Sequence, residues 1–423
     1  MKITFIAIGT RGDVQPTIAL AKSLLQIGYN VTVVASIHFQ SWIEDHGIKV
    51  VPSNINFHEL MTSQVGHEWV ENGGDTTKYF QYTRSIFDRF GLQMMKDALS
   101  GCAGARVIVS NHLSQIYAAS IAEKLGAIHI SMHLMPTLVR TSHWWPMSEL
   151  LLSGSKAGGA LQFDTWLIGP VIWQLIGHIN NQFRQKVLGL NLQNFVQNQQ
   201  KLINILILQG FSSHIVTCPV DSPTNVLMTG FCFLDEEQNW QPPKSLEDFI
   251  NNGDPPVYIG FGSMTGSNPD HLTRTIINAL KLSEKRAIIQ SGWAGLGNIQ
   301  LPSNIFLLEH SIPFNWLFPR VCAIVHHGGA GTTAECFRAG VPMIVVPHMA
   351  DQTFWGNRAL ALGVSPALIP RLELNATNLS SAIDSATSDI NIINRAAMLG
   401  VKIRSEDGTL VASKAIQKAM VVP

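Results

Sequence analysis

The chain is poor in charge. Asp, Glu, Lys and Arg supply only 14% of its 423 residues, and 29 acidic side chains cancel 29 basic ones. A chain balanced in this way offers no basic surface to a nucleic acid. Cysteine is scarce too: Cys102, Cys218, Cys232, Cys322 and Cys336 are odd in number, scattered and without metal-ligand spacing. That excludes a disulfide framework and a zinc module, and it reads as thiols kept in a reducing compartment. No apolar run approaches the roughly 20 residues of a membrane-spanning helix. The apolar start Met1 to Ile8 gives way to Arg11 and Asp13, so it reads as a first strand and not as a signal peptide. The expected location is the cytoplasm, with peripheral attachment to a membrane face as the alternative.

Apolar residues make up 46% of the chain, ample for two cores, and the length suits two domains. Strand and helix patterns alternate. Ile3 to Ile8 reads as a strand, Thr17 to Ile27 as a helix begun by Pro16 and ended by Gly28, Asn30 to Ala35 as a strand and Phe39 to Asp45 as a helix. Val107 to Ser110 and Ile128 to Met132 continue the strands around a helix from Gln115 to Leu125, and His214 to Cys218 reads as the last strand of this half. A second series runs through Val257 to Phe261, Ile276 to Leu282, Arg286 to Gln290, Val321 to Val325 and Met343 to Val346. Repeated strand-helix-strand units mean doubly wound parallel sheets, an α/β chain. Pro219, Pro223, Pro242 and Pro243 place a linker between the halves. The expected division is 1–218, linker 219–254, 255–400, and a terminal helical segment 401–423 after a break at Gly400.

The most informative stretch is Val325-His326-His327-Gly328-Gly329-Ala330-Gly331-Thr332-Thr333-Ala334-Glu335, in which a strand, a glycine-rich turn and a helix follow without a gap. Glycines let backbone amides approach a ligand, and the first helical turn leaves N–H groups and a positive dipole end for an anion such as a diphosphate. Thr332 at the helix start could donate as well, and His327 adds a further donor. A tightly packed turn with both histidines satisfied by backbone is the alternative. The next strand ends in Pro347-His348-Met349-Ala350-Asp351-Gln352, so two consecutive units deliver polar residues to strand carboxyl ends, where open parallel sheets bind ligands. Asp351 accepts hydrogen bonds and Gln352 accepts and donates, which suits vicinal sugar hydroxyls; helix capping is the other reading of Asp351.

His327 to Gln352 resembles the donor signature of inverting, nucleotide-sugar-dependent glycosyltransferases of the GT-B fold, the UDP-glycosyltransferase superfamily that includes sterol glucosyltransferases and glycopeptide-antibiotic glycosyltransferases. Gly9-Thr10-Arg11-Gly12-Asp13-Val14-Gln15-Pro16 resembles the amino-terminal loop of the sterol and antibiotic branches. The resemblance implies two Rossmann-like domains facing a cleft, with the acceptor on the first and the nucleotide sugar on the second. It also implies a terminal helix returning to the first domain. Ribose contacts for Glu335 and a general base at Asp13 follow from the same resemblance, with an ordinary helix-surface carboxylate the other reading of Glu335. The segment Glu309-His310-Ser311-Ile312-Pro313-Phe314 departs from the plant relatives, which place a stacking tryptophan there, so UDP and TDP donors both stay open. Backbone groups near Ser311 and Ile312, or Trp293, are the candidates to hold the base.

The chemistry requires removal of a proton as an acceptor hydroxyl attacks the anomeric carbon. Asp13, in the loop after the first strand, is the candidate. With Pro16 as first helical residue, Gln15 occupies the cap and Asp13 lies upstream of it. His112 is the reserve base or an orienting partner. Arg11 and Gly12 on one side, and Gly262 and Ser263 after the first strand of the second half, are candidates for phosphate contacts, with an ordinary surface ion pair the other reading of Arg11. No acidic pair stands where it would hold a divalent metal, so metal-independent catalysis is expected, with helix ends and His327 in place of the ion. From Lys124 to Arg184 the only intervening charges are Arg140, Glu149, Lys156 and Asp164, while Trp144, Trp145, Trp166 and Trp173 fall in the same interval. This interval is an acceptor wall lined by Trp144, Trp145 and Trp166, a membrane-facing patch, or helix packing within a large domain. The first two point to a lipophilic alcohol: a sterol, a long-chain lipid or a polyketide-like compound. A catalytically silent nucleotide-sugar or lipid-binding module is the alternative function. A dinucleotide-dependent oxidoreductase is disfavoured by the glycine spacing of Gly9-Thr10-Arg11-Gly12 and by Ala35 and Ser36 at the end of the second strand.

Overall fold

The computed structural model describes residues 1–73, 75–136, 168–235, 240–264, 268–293, 295–349 and 351–421. Trp144, Trp145 and Trp166 lie outside the described residues. The chain divides into two compact units. Unit 1 comprises Met1–Leu60, Asp75–Leu234 and Glu406–Pro423, and unit 2 comprises Met61–Gly74 and Asp235–Ser405. Among the described residues no helix is long and apolar enough to cross a membrane.

Unit 1 is built on a parallel sheet of β1 (Lys2–Ala7), β2 (Asn30–Ser36), β3 (Lys49–Ser53), β4 (Val107–Asn111), β5 (Ile128–His133), β6 (Leu206–Gln209) and β7 (Val226–Met228), in the order β3-β2-β1-β4-β5-β6-β7. Both faces are covered, which is why β1 and β2 are rich in Val, Ile and Phe. Ile3, Phe5, Val31, Val33, Val107, Val109 and Ile130 form one core with Ile18 and Leu24 of the helix Arg11–Gln26 and with Ala412 and Ile416 of the helix Gly408–Val421. Those two helices meet where Ser23 Oγ lies 2.9 Å from Ser413 Oγ. β4 and β5 also carry a buried polar ladder. Ser110 Oγ lies 2.8 Å from His129 Nε2, Ser131 Oγ lies 2.9 Å from His133 Nε2, and His133 Nε2 lies 3.3 Å from Gln115 Oε1. Burial pushes His129 down to about 3, so its imidazole is neutral.

Three expectations about this architecture are corrected. His214 to Cys218 is not a strand: Ser212 Oγ accepts from His214 N at 3.0 Å, and the Ser212 carbonyl accepts from Ile215 and Val216 N–H at 3.1 Å. These local bonds consume the donors a ladder would need. The sheet instead takes β6 and β7, and β7 and the helix Lys244–Asn251 fall inside the proline-marked stretch 219–254. Gly400 does not break the chain into a new segment, because it lies within the helix Ile390–Arg404. It is glycine because a Cβ there would stand 2.7 Å from Gly340 Cα, and Gly340 ends the helix Ala330–Ala339 at φ +73°. β3 and a strand at Ile305–Leu308 were not anticipated; β3 is an edge strand, which tolerates Pro52.

Unit 2 holds β8 (Val257–Gly260), β9 (Ala287–Gln290), β10 (Ile305–Leu308), β11 (Ala323–His326) and β12 (Met343–Val345), all parallel, in the order β10-β9-β8-β11-β12. Strand order reverses between β1 and β4 in unit 1 and between β8 and β11 in unit 2. In an open parallel sheet the crevice for a ligand forms at such a switch, outside the strand carboxyl ends.

Gly400→Val should lower stability by about 1–3 kcal/mol, the usual cost of forcing extra atoms into a packed contact. Thermal unfolding measures this, and an unchanged midpoint would rule out the close approach of Gly400 to Gly340.

Candidate functional site

In unit 1 the turn after β1 is organised by Asp13. The helix opens at Arg11, with Thr10 as its cap and Pro16 inside its second turn, which corrects the expected start at Pro16. Asp13 is therefore the third helical residue. Its Oδ2 accepts from Thr10 N at 2.9 Å and from Thr10 Oγ1 at 3.4 Å, the reaching-back half of a capping box. The Thr-x-x-acid spacing was the signal, and it outranks proline because a first-turn carboxylate satisfies an otherwise unpaired N–H. Gly9 has φ +137°, and a Cβ there would stand 2.2 Å from Asp13 Oδ2, so glycine is required for the carboxylate to fold over the turn.

Asp13 lines a narrow crevice with Phe5, Val109, Asn111, Met132 and Leu134, of about 10 Å³ and so with room for about one water. Two residues overlooked in the sequence hold the turns at this edge together. Asn111 Nδ2 donates to Ile8 O at 2.6 Å and its Oδ1 accepts from Ser114 N at 3.1 Å, while Ser114 Oγ donates to Ile6 O at 3.1 Å. An Asn-x-x-Ser at a strand end is their only signal. His112 lies in the turn they brace. Burial pushes its imidazole down to about 4, and Nδ1 has no hydrogen-bond partner. Arg11 stands with its guanidinium carbon 4.3 Å from the centroid of Trp42, and its Nε donates to Gln15 Oε1 at 3.4 Å. Gly12 is the second helical residue.

In unit 2 the turn after β11 is shaped by the two histidines. His326 Nδ1 accepts from Gly328 N at 3.1 Å. Gly328 has φ +90°, and a Cβ on it would stand 2.7 Å from Val345 Cγ1 and 2.8 Å from the Gln352 carbonyl. The His327 ring lies against two further glycines: a Cβ on Gly329 would stand 2.4 Å from its Nε2, and one on Gly262 3.1 Å from its Cε1. His327 is buried and pushed down to about 4, and its Nδ1 has no hydrogen-bond partner. A neutral imidazole with an uncommitted ring nitrogen suits donation to a phosphate oxygen. The helix is capped by Gly329 and opens at Ala330, two residues before the expected start at Thr332. Ala330, Gly331 and Thr332 thus form its first turn, ahead of the Thr333 N–H that reaches the Gly329 carbonyl at 2.9 Å.

Neighbouring turns close on this one. Gly262 and Ser263 follow β8, and the Gly262 carbonyl accepts from Trp293 N at 3.1 Å, which ties in the turn after β9. Gln352 Oε1 accepts from His348 N at 2.7 Å and Met349 N at 3.0 Å, while its Nε2 lies 3.2 Å from Met264 Sδ. Gln352 Oε1 is thus committed to holding its own loop. Asp351 Oδ2 accepts from Trp355 Nε1 at 3.1 Å, and burial pushes the carboxyl up to about 6. His348, not singled out in the sequence, is buried, with Nδ1 2.9 Å from Val346 O and its ring centroid 5.2 Å from that of Phe261. Glu335 lies deeper in its helix, 5% exposed, with Oε2 3.7 Å from Arg338 Nη1. Arg338 in turn grips Asp235 at 2.7 and 2.9 Å. Exposed Ser311 and buried Ile312 follow β10, two strands from β8. The structure therefore brings Gly262, His327, Gly328, Gly329 and Gln352 together and leaves Ser311 and Ile312 at the outer strand. Among the described residues no group of three or more His, Cys, Asp or Glu could hold a metal ion.

Comparison with known proteins agrees with this geometry. Residues 3–142 match the glycosyltransferase family 28 N-terminal domain, and residues 287–408 match the erythromycin biosynthesis protein CIII-like C-terminal domain. The chain is 36% identical over 433 aligned residues to the sterol 3-beta-glucosyltransferase of Emericella nidulans, covering 99% of this chain and 30% of that protein. It is 35% identical to that of Penicillium rubens, with the same coverage. It thus spans about three tenths of the length of these curated relatives. The calicheamicin glycosyltransferase CalG4 superposes with a TM-score of 0.71 at 18% identity, covering 100% of this chain and 99% of that one. The glycosyltransferase VinC in complex with dTDP gives 0.63 at 16%, covering 99% of each. These likenesses show the GT-B fold. With two family domains in order, relatives aligned along nearly its whole length, and that fold, the chain belongs to the UDP-glycosyltransferase family.

Proposed function

We propose that the protein transfers a hexose, glucose in the first instance, from a UDP- or TDP-sugar to the hydroxyl of a lipophilic alcohol, with inversion at the anomeric carbon. The observation that carries this reading is the convergence of the turns after β8, β11 and β12 on His327, whose ring nitrogen is uncommitted beside the open first turn of a helix. That turn supplies N–H groups to a diphosphate without a cation, which supports a metal-independent reaction. Relatives named as sterol 3-beta-glucosyltransferases support a sterol-like acceptor, and a neighbour holding dTDP supports a nucleotide donor.

In this reading Asp13 removes the proton from the attacking hydroxyl, His112 orients, and Arg11 and Gly12 approach the phosphates. Ser263, Ala330, Gly331 and Thr332 would donate to phosphate oxygens, Glu335 would bind the ribose, Asp351 and the Gln352 amide would bind the sugar, and Trp293, Ser311 and Ile312 would frame the base. The acceptor would lie against Trp144, Trp145 and Trp166, and the enzyme would work in the cytoplasm or at its membrane face. The crevice beside Asp13 has room for about one water, so in this reading an acceptor hydroxyl reaches the carboxylate only once that crevice widens. Because Asp13 also has a complete structural role, the silent-module reading stands as the alternative outcome of the first test below.

Incubation with UDP-glucose or TDP-glucose and a sterol, in buffer containing a chelator, should release nucleotide diphosphate and give a glycosylated product by mass. Asp13→Asn keeps an oxygen able to cap Thr10 and should still lower kcat by about 10²- to 10⁴-fold, with donor affinity unchanged. Wild-type turnover in that variant would leave Asp13 a cap alone. His327→Ala should weaken nucleotide diphosphate binding at least about tenfold, the value of a hydrogen bond to a charged group, and equal affinity would move the phosphate site elsewhere.

Burial raises Glu335 to about 7, against the attraction of Arg338. The folded state then holds this proton more tightly than the unfolded chain, so stability is highest below the ordinary carboxylate range and falls as pH rises from about 4.5 to 7. Glu335→Gln should therefore raise Tm at pH 8 and leave it unchanged at pH 4.5. Equal shifts at both pH values would contradict a buried, reluctant carboxylate.

A further inference from the structure

We propose that Met61–Gly74 is a strap that fixes the sugar-binding loop of unit 2, with Gly73 as its positioning residue, so that it controls affinity for the sugar of the donor and not for the nucleotide diphosphate. In the chain this segment stands between β3 and the helix Thr76–Gly101, both in unit 1, yet it is compact with unit 2. Its helix, Gln64–Glu71, is closed at both ends. Ser63 Oγ accepts from Gly66 N at 3.3 Å, and Asn72 Nδ2 donates to Glu68 O at 2.7 Å. Gly66 and Val70 form its buried face. Such a segment is built, with caps and a buried face, and it delivers Gly73 to one place.

That place is the loop before Asp351. A Cβ on Gly73 would stand 2.4 Å from Met349 Cβ and 2.5 Å from the His348 carbonyl oxygen, and the third nearest atom is Met349 Cα at 3.0 Å. These are backbone atoms and a Cβ, which cannot swing aside as a side-chain tip does. His348 and Met349 are the two residues whose N–H groups Gln352 Oε1 receives, at 2.7 and 3.0 Å. Any displacement at Gly73 is therefore passed through two hydrogen bonds to Gln352 and to its neighbour Asp351. A second tether lies at the end of the helix, where Glu71 Oε1 stands 4.0 Å from Arg371 Nη2 with both side chains partly buried. The atoms nearest to Gly73 all belong to the loop and none to the phosphate turn 327–332.

The proposal rests on the reading of Asp351 and Gln352 as sugar ligands. Titration calorimetry of wild type, Gly73→Val and Glu71→Gln with UDP, UDP-glucose, TDP and TDP-glucose separates the two ideas. Gly73→Val should bind the bare diphosphates within about twofold of wild type and lose at least about tenfold for the matching sugar nucleotide, since misplacement by about 1 Å is costly. Glu71→Gln adds no atoms and should shift in the same direction by about two- to threefold, and it decides alone if Gly73→Val shows no thermal unfolding transition. Equal losses for diphosphate and sugar nucleotide, or no loss for either, would overturn the strap. Wild-type protein that binds none of the four nucleotides would overturn the donor reading itself.

Discussion

Parallel pairing obliges every strand of a sheet to end on the same edge, and the placing of each candidate group depends on that constraint. In unit 2, Gly262, Trp293, Ser311, His327 and the loop before Asp351 follow five different strands, separated in sequence by up to about ninety residues. They share one rim because β8 to β12 all run the same way. In unit 1 the same rule sets Asp13 after β1 and His112 after β4, on strands that are direct neighbours. The sheets are covered on both faces, so the turns at this rim are free to present polar side chains to a ligand.

Burial then decides the chemical character of each rim. His112, His327 and His348 are all held neutral by loss of water, and Asp351 and Glu335 resist ionisation for the same reason. The unit 2 rim is therefore a place of oriented dipoles with few net charges. Backbone N–H groups and neutral imidazole cost less to keep dry than a charge does, and they act strongly on an anion that enters. Packing enforces the arrangement, since the His327 ring is seated against glycines at 262 and 329 that leave no volume for a side chain.

Much of this was legible beforehand. The alternation of strands and helices, the glycine turn after β11 and the polar ends of β11 and β12 follow from local sequence, where period and turn chemistry act over a few residues. What escaped depended on distant partners or on competing local signals. Gly400 reads as a breaker until Gly340 is seen against it. Pro16 reads as a helix start, although Thr10 and Asp13 had already formed one. Ile215 and Val216 read as strand until the Ser212 hydroxyl and carbonyl claim the local N–H groups. Asn111 and Ser114 are unremarkable polar residues in sequence, and only the approach of β1 to β4 gives them carbonyls to hold.

Neither unit is a continuous stretch of chain. Met61–Gly74 is made long before the rest of unit 2, and Glu406–Pro423 is made after it. During synthesis, unit 1 must therefore wait for a helix whose Ala412 and Ile416 complete its core, while a short early segment waits for the sheet it will join. The helix Gly408–Val421 is thus needed to seal a sheet begun at Lys2, and that sheet keeps apolar surface uncovered until the helix docks. The same threading means that no single cut yields two separable halves, and exchange of units between relatives would have to carry both outlying segments with their proper sheets.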